Sequence, residues 1–252
     1  MRTTLWLLTI GLLGLALLGQ EPKGAAKKGK KEIGPQPRVV APAARDWQPP
    51  SDAVVLFGGK DVSGWRKRDG SPTGCRAEGG EMICATGSGD AVSTEMFRDA
   101  QIHIEFKVPL MADQQGQRRG NSGVYLQACY EVQILDSYEN PTYADGSLGG
   151  VYGFAPPLVN ASRKPGEWQS FDILFRTPKC DAEGKISEAG RVSLFLNGVL
   201  VQDGVKVEKR GGGCRLPTLC GEGPLLLQDH SNFPNAPHTE MRFRNIWLRK
   251  LD

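Results

Sequence analysis

The sequence predicts an all-β protein folded as a two-sheet antiparallel sandwich, and three observations predict it. Short runs alternate apolar and polar residues with period two. Turn residues separate them at strand-length spacing, and Gly (32) and Pro (17) are abundant. No βαβ rhythm, no repeat of 20 to 50 residues and few helical periodicities accompany them.

The elements follow in order. Met1-Arg2 precedes an apolar run from Leu5 to Leu18, with small and polar residues after it. This predicts a secretory signal peptide over 1–20, too short for a comfortable membrane span. No Cys follows the run, so no lipid anchor is expected there. Residues 21–50, rich in Ala, Lys, Pro and Gly, predict a disordered linker. A single domain is expected over 51–252, opening near Val54-Val55-Leu56-Phe57.

Gln101 to Val108 alternates over eight residues. Gly123–Gln127, Tyr130–Ile134, Ser170–Phe175 and Arg191–Leu196 continue the pattern, and Asn197-Gly198 turns into Val199–Val201. Pro224–Gln228 reads as a more buried strand, and Arg242–Leu248 closes the domain. Trp65, Trp168 and Trp247 read as core, His103 as structural and His238 as an exposed loop residue.

Composition narrows the function. Charged residues are 23% and hydrophobic ones 39%, values of an ordinary soluble core. Much of the net charge of +3 sits in the lysines between 23 and 31, so nucleic-acid binding has little electrostatic support. The expected destination is the periplasm or the exterior, with no membrane association after signal cleavage. Export makes the six cysteines disulfide candidates. In Cys75-Arg76-Ala77-Glu78-Gly79-Gly80-Glu81-Met82-Ile83-Cys84 the two glycines form a hairpin turn, which sets Cys75 opposite Cys84 on a closely spaced pair. Cys214 and Cys220 flank a loop they could close, whereas Cys129 reads as a buried free thiol. No cofactor is expected and no spacing suggests zinc. Asp145 and Asp181, in turns, are the residues that would hold a structural calcium if the fold carries one.

Chemistry is expected on the strand Tyr130-Glu131-Val132-Gln133-Ile134-Leu135-Asp136. Residues two apart share a face, about 6.6 Å apart. With Val132 and Ile134 in the core, Glu131 and Gln133 face outward. A one-residue bulge at Leu135 is expected to bring Asp136 to the same face. Asn121, Tyr125 and Gln127 should share the outer face of the neighbouring strand, with Tyr125 a stacking platform for a sugar ring. Gln228-Asp229-His230 ends another strand. A polar outer face also suits any half-exposed sandwich, so alternation alone does not separate a site from a solvated surface.

Further motifs carry a resemblance. Leu56-Phe57-Gly58-Gly59-Lys60-Asp61-Val62-Ser63-Gly64-Trp65 resembles the opening motif of the 3-keto-disaccharide hydrolase family, long a domain of unknown function. Gly120–Tyr125, Tyr130–Ser137, Gly150–Gly153, Pro165–Trp168, Leu196–Gly198 and Phe243–Ile246 fit in the right order. The resemblance implies a concanavalin A-like jelly roll of the lectin/glucanase type. Glu131-Val132-Gln133-Ile134-Leu135-Asp136 is similar to the bulged Glu-x-Asp-x-Glu of laminarinase-type glycosidases, with Gln133 and Asp136 as departures. Across the bulge Glu131 and Asp136 would lie about 13 Å apart along the strand, against about 5 to 9.5 Å for working carboxyl pairs. Plain two-carboxylate hydrolysis is therefore disfavoured.

The family's chemistry makes a different demand. A ketone at C3 acidifies the C2 hydrogen, and the C1 oxygen is then a β leaving group. This implies a sugar substrate, a 3-keto-glycoside, cleaved by C2 proton abstraction, elimination and hydration. The expected catalytic residues are Glu131 as base, Asp136 or His230 as acid, and Arg119 or His230 as partner of the enolate. Arg119, Asn121, Tyr125, Gln127, Gln133, Tyr152 and Gln228 are the expected sugar-binding set. The alternative on the same fold is a non-catalytic, lectin-like polysaccharide-binding module.

Overall fold

A computed structural model describes residues 38–45, 47–214, 216–231 and 238–251. The chain divides into two compact units, Met1–Val39 and Val40–Asp252. The expected signal peptide and the linker up to residue 37 lie outside the described residues, and of the first unit only Arg38 and Val39 are described. The end of the expected linker, from Val40 onward, belongs to the second unit.

The strands run in chain order as β1 (Val54–Phe57), β2 (Trp65–Arg66), β3 (Arg76–Glu78), β4 (Glu81–Ala85) and β5 (Ala91–Phe97). Next come β6 (Ala100–Lys107), β7 (Asn121–Leu126), β8 (Tyr130–Leu135), β9 (Gln169–Arg176) and β10 (Lys179–Cys180). The last are β11 (Ile186–Glu188), β12 (Gly190–Leu196), β13 (Val199–Val207), β14 (Gly223–Leu227) and β15 (Glu240–Lys250). An eight-stranded antiparallel sheet has the order β13-β12-β9-β6-β15-β4-β3, with β1 also paired to β15. A five-stranded antiparallel sheet has the order β2-β5-β14-β7-β8, and β10 with β11 forms a small ribbon. The fold is the expected jelly-roll sandwich.

The inward residues of both sheets make one core. Trp65, Phe97, Ile102, Ile104, Phe106, Val124, Val132, Ile134, Phe171 and Phe175 are all fully buried within it, with Phe106 and Phe171 rings 4.6 Å apart. Each such side chain adds roughly 1.5 to 3 kcal/mol of transfer free energy. Trp168 departs from expectation. It is half-buried, with Lys107 Nζ 4.6 Å and Arg244 Cζ 4.1 Å from its ring centre.

His103 is fully buried although the alternation sets it on the outer face of β6, because aromatic rings cover it. Trp47 and Trp247 stack on it at 5.8 and 5.4 Å. Trp47 thus anchors the segment before β1, its carbonyl accepting Trp247 Nε1–H at 2.9 Å and Asn245 Nδ2–H at 2.7 Å.

The cysteines form three disulfides, Cys75–Cys84, Cys129–Cys214 and Cys180–Cys220. The first is the hairpin pair. Gly79 and Gly80 turn with φ of 59° and 85°, and Glu78 pairs with Glu81. The other two overturn the free thiol at Cys129 and the Cys214–Cys220 loop closure. Each joins segments that meet only in the folded chain. Three disulfides point to an oxidising, extracytoplasmic compartment.

Candidate active site

The outer face of the five-stranded sheet carries the candidate site. β7 and β8 pair in unbroken register, with Asn121 opposite Leu135, Gly123 opposite Gln133 and Tyr125 opposite Glu131. Residues 149–152 run on as a further edge beside β8. Gly149 N–H donates to Gln133 O, Gln133 N–H to Gly150 O and Tyr152 N–H to Glu131 O, at 2.9, 2.9 and 3.0 Å. Opposite residues share a face, so two rows cross the sheet. One is Tyr125–Glu131–Tyr152, and the next is Gly123–Gln133–Gly150. The second row has two glycines and forms a trough whose floor is Gln133.

Gly123 is required by close approach. A Cβ there would lie 2.5 Å from Glu131 Oε1 and 3.0 Å from Tyr125 Cε2, because both side chains lean over it. Glu131 is 8% exposed. Its Oε2 accepts the Tyr125 hydroxyl at 2.8 Å, and Gln228 Nε2–H donates to that hydroxyl at 3.1 Å. Burial pushes the Glu131 carboxyl up to about 7, against the downward pull of the Tyr125 hydrogen bond. Burial, and then the charge of Glu131, push the Tyr125 phenol above its ordinary range.

Amides fill the rest of the trough. Gln133 Nε2–H donates to Asn121 Oδ1 at 3.1 Å and to Gln117 Oε1 at 3.2 Å. Asn121 Nδ2–H donates to Gln117 O and Oε1 at 2.9 and 3.1 Å. Gln117 donates in turn to Thr142 Oγ1 and Gly146 O, both at 2.9 Å. At the edge the Tyr143 and Tyr152 hydroxyls lie 3.1 Å apart, and Tyr143 is 49% exposed.

Three expectations need correction. There is no bulge at Leu135, since the register holds through it. Asp136 follows the strand end, 1% exposed, with Oδ2 accepting from Arg119 Nη1 at 3.3 Å and Oδ1 from Tyr138 N–H at 3.2 Å. It therefore does not join Glu131 and Gln133 in one row, and burial raises its carboxyl against the pull of the Arg119 charge. Tyr125 is 5% exposed, so its hydroxyl serves Glu131 and its ring offers no open platform. Gln127 is not in the site. β7 ends at Leu126, and the chain turns through Gln127 and Ala128 with φ of 54° and 51°. Its buried amide donates to Phe97 O, Thr177 Oγ1 and Gly221 O.

Arg119, Asn121, Gln228 and His230 line one small cavity together with Cys75, Cys84, Met241 and Phe243, and Asn121 and Gln228 also bond to Gln133 and Tyr125 of the trough. Burial holds the His230 imidazole below its ordinary range, which keeps it neutral near pH 7. Gln117, Gly123 and Tyr143 were not singled out from sequence. Gln117 lies in a polar stretch without alternation, and Tyr143 follows Pro141-Thr142 in a loop. Among the described residues no group of three or more His, Cys, Asp or Glu side chains suits a metal ion. Asp145 and Asp181 accept backbone N–H groups, of Gly153 and of Glu183 and Lys185.

The profile of the 3-keto-alpha-glucoside-1,2-lyase-like domain matches residues 52–249. The chain belongs to that family. A crystal structure from Parabacteroides distasonis, of a protein provisionally classed as a glycosyl hydrolase, is 37% identical with a TM-score of 0.79. The match covers 92% of this chain and all of that one. A second structure so classed from the same organism is 22% identical, with a TM-score of 0.57 over 80% of this chain and 94% of that one, and speaks for the fold alone. Comparison with curated proteins gives no match. Membership in the 3-keto-alpha-glucoside-1,2-lyase-like family implies a carbohydrate-active role.

Proposed function

We propose that this protein cleaves 3-keto-glycosides by removing the C2 proton, expelling the C1 aglycone and adding water to the resulting glucal, with Glu131 as base. One observation carries the reading: a nearly enclosed carboxyl, hydrogen-bonded by a neutral phenol, with its pKa pushed up to about 7. A base is most effective when its pKa lies near the working pH. The ketone lets one carboxylate suffice where ordinary glycoside hydrolysis wants two.

The enolate oxygen needs a donor. Arg119 and His230, which share a cavity, are assigned that part, with Asn121, Gln133, Gln228 and Tyr152 holding sugar hydroxyls. Asp136, sealed against Arg119, is assigned to fixing the guanidinium and not to proton delivery. The test uses a 3-keto-glucoside with a 4-nitrophenyl aglycone. Wild type should release nitrophenol, and Glu131→Gln should do so at least about 100-fold more slowly. Equal rates would sink the catalytic reading, and binding without release would favour a lectin-like module.

A further inference from the structure

We infer that Tyr143, with Tyr152 as its hydroxyl partner, is the acid that protonates the departing aglycone oxygen. The inference rests on the reading of Glu131 as base.

The Tyr125 proton is committed to Glu131 itself and its phenol is 5% exposed, which leaves three other sources of a proton. Asp136 is sealed by Arg119 and Tyr138. His230 follows β14, on the β7 side of Glu131, and shares a cavity with Arg119, the side assigned to the enolate oxygen. The pair Tyr143 and Tyr152 stands on the opposite flank of Glu131. Tyr152 follows Glu131 in the row across the sheet, and its hydroxyl meets that of Tyr143 at 3.1 Å. Tyr143 is the more open of the two to an incoming sugar.

The ring of Tyr143 is seated by a glycine. A Cβ at Gly146 would come 2.3 Å from Tyr143 Cε2 and 2.8 Å from Gln117 Nε2. The position therefore admits no side chain without moving both groups. Gly123 does the same beneath Glu131 and Tyr125. Two glycines thus seat the base and the phenol, one on each side of the trough.

The chemistry suits a phenol. Burial, then the Tyr152 hydrogen bond, and more weakly the charges of Asp145 and Glu131, hold the Tyr143 hydroxyl above the ordinary phenol range. It is protonated at neutral pH, and an alkoxide leaving group is the stronger base, so transfer to it is downhill. The step balances. Glu131 carboxylate takes the C2 proton, the C2–H electrons form the enolate, and its collapse makes the C1=C2 bond as the C1–O bond breaks. The leaving oxygen takes the proton of Tyr143. In hydration the water oxygen bonds to C1 as the phenolate takes a proton from that water, and Glu131 returns its proton to C2.

The experiment compares two 3-keto-glucosides, methyl and 4-nitrophenyl, and follows C2 hydrogen exchange in D2O. Nitrophenolate leaves without a proton, whereas methoxide does not. Tyr143→Phe should lose about 100-fold or more on the methyl glycoside. It should keep nitrophenol release and C2 exchange near wild type, which also shows that it folds. Tyr152→Phe, which also gives up a contact assigned to a sugar hydroxyl, should lose activity on both glycosides but more on the methyl one. Equal losses on both aglycones, or none on the methyl glycoside, overturn the inference and leave Glu131 as base. If wild type cleaves neither compound, the functional reading falls and this inference with it.

Discussion

Two glutamates on opposite outer faces of the sandwich behave in opposite ways. Glu105, on β6 of the eight-stranded sheet, would be raised by burial. The His103 imidazole 3.7 Å away and hydrogen bonds from Asn245 and Arg244 outweigh that and bring it down to about 2. Its oxygens accept Arg244 Nε–H at 2.6 Å and Asn245 Nδ2–H at 2.9 Å. Glu131, on β8, is the more deeply buried and meets a phenol instead of a cation, and burial carries it up to about 7. Two more carboxyls of the eight-stranded sheet follow the same rule as Glu105. Glu81 accepts from Arg242 and Lys107, Glu240 from Arg76 and Arg242, and both carboxyls are held down. A neighbouring cation holds a carboxyl ionised, whereas a buried carboxyl that meets only a neutral donor keeps a raised pKa.

The contrast is most exposed to a pair of substitutions. Glu131→Gln should cut turnover by about 100- to 10,000-fold without loss of stability at pH 8, since the amide removes a charge that burial penalises. Glu105→Gln should leave turnover unchanged and cost about 1 kcal/mol, a value already reduced for solvent screening. Kinetics and chemical denaturation on both variants check this, and the reverse pattern would exchange the roles of the two faces.

The next largest effect concerns the staple at the β7–β8 turn. Replacing Cys129 and Cys214 by Ser opens a loop spanning 85 residues and should cost about 4 to 5 kcal/mol on the chain-entropy estimate. Denaturant midpoints with and without reductant measure it. Removing Cys75–Cys84, with a separation of 9, should cost about 2 to 3 kcal/mol.

The two carboxyls also give opposite pH slopes. Glu105 has a folded pKa near 2 against an ordinary 4.5, so its stabilisation is present above 4.5 and lost as pH falls toward 2. Glu131 has a folded pKa of about 7, so the folded state loses stability as pH rises from 4.5 through 7. Turnover should rise across the same upper window as Glu131 ionises. Tyr125→Phe removes the hydrogen bond that lowers Glu131, so the acid limb of the rate profile should move to higher pH. A limb that moves down or stays put contradicts the assignment.

The smallest expected effect lies farthest from the trough. Trp47→Ala removes one ring stacked on His103 and should cost about 1 kcal/mol with turnover unchanged. A thermal shift beside an unaltered rate would keep the eight-stranded face structural. A lost rate would join it to the site.

Much of the fold was legible in local spacing. Period-two alternation marks strands because successive side chains alternate across the backbone, and it was enough to put Glu131 and Gln133 on one face, opposite Val132 and Ile134. The Gly79-Gly80 turn likewise set the Cys75–Cys84 pair, because a two-residue hairpin dictates its own register. The reading failed at two residues for opposite reasons. Asp136 keeps the alternation that an expected bulge at Leu135 would have broken, and Gln127 lies past the end of β7, where alternation no longer governs direction.

Contacts between distant segments were decided only by the tertiary structure. Cys129 meets Cys214, Tyr152 lies beside Glu131, Gln117 joins Asn121 and Gln133, and two tryptophans cover His103. None of these follows from spacing, because each depends on which loops close over which strands. The fate of Glu131 is the sharpest case. Its face is a property of the backbone, but its raised pKa comes from the burial that folding imposes, against the pull of the Tyr125 hydrogen bond.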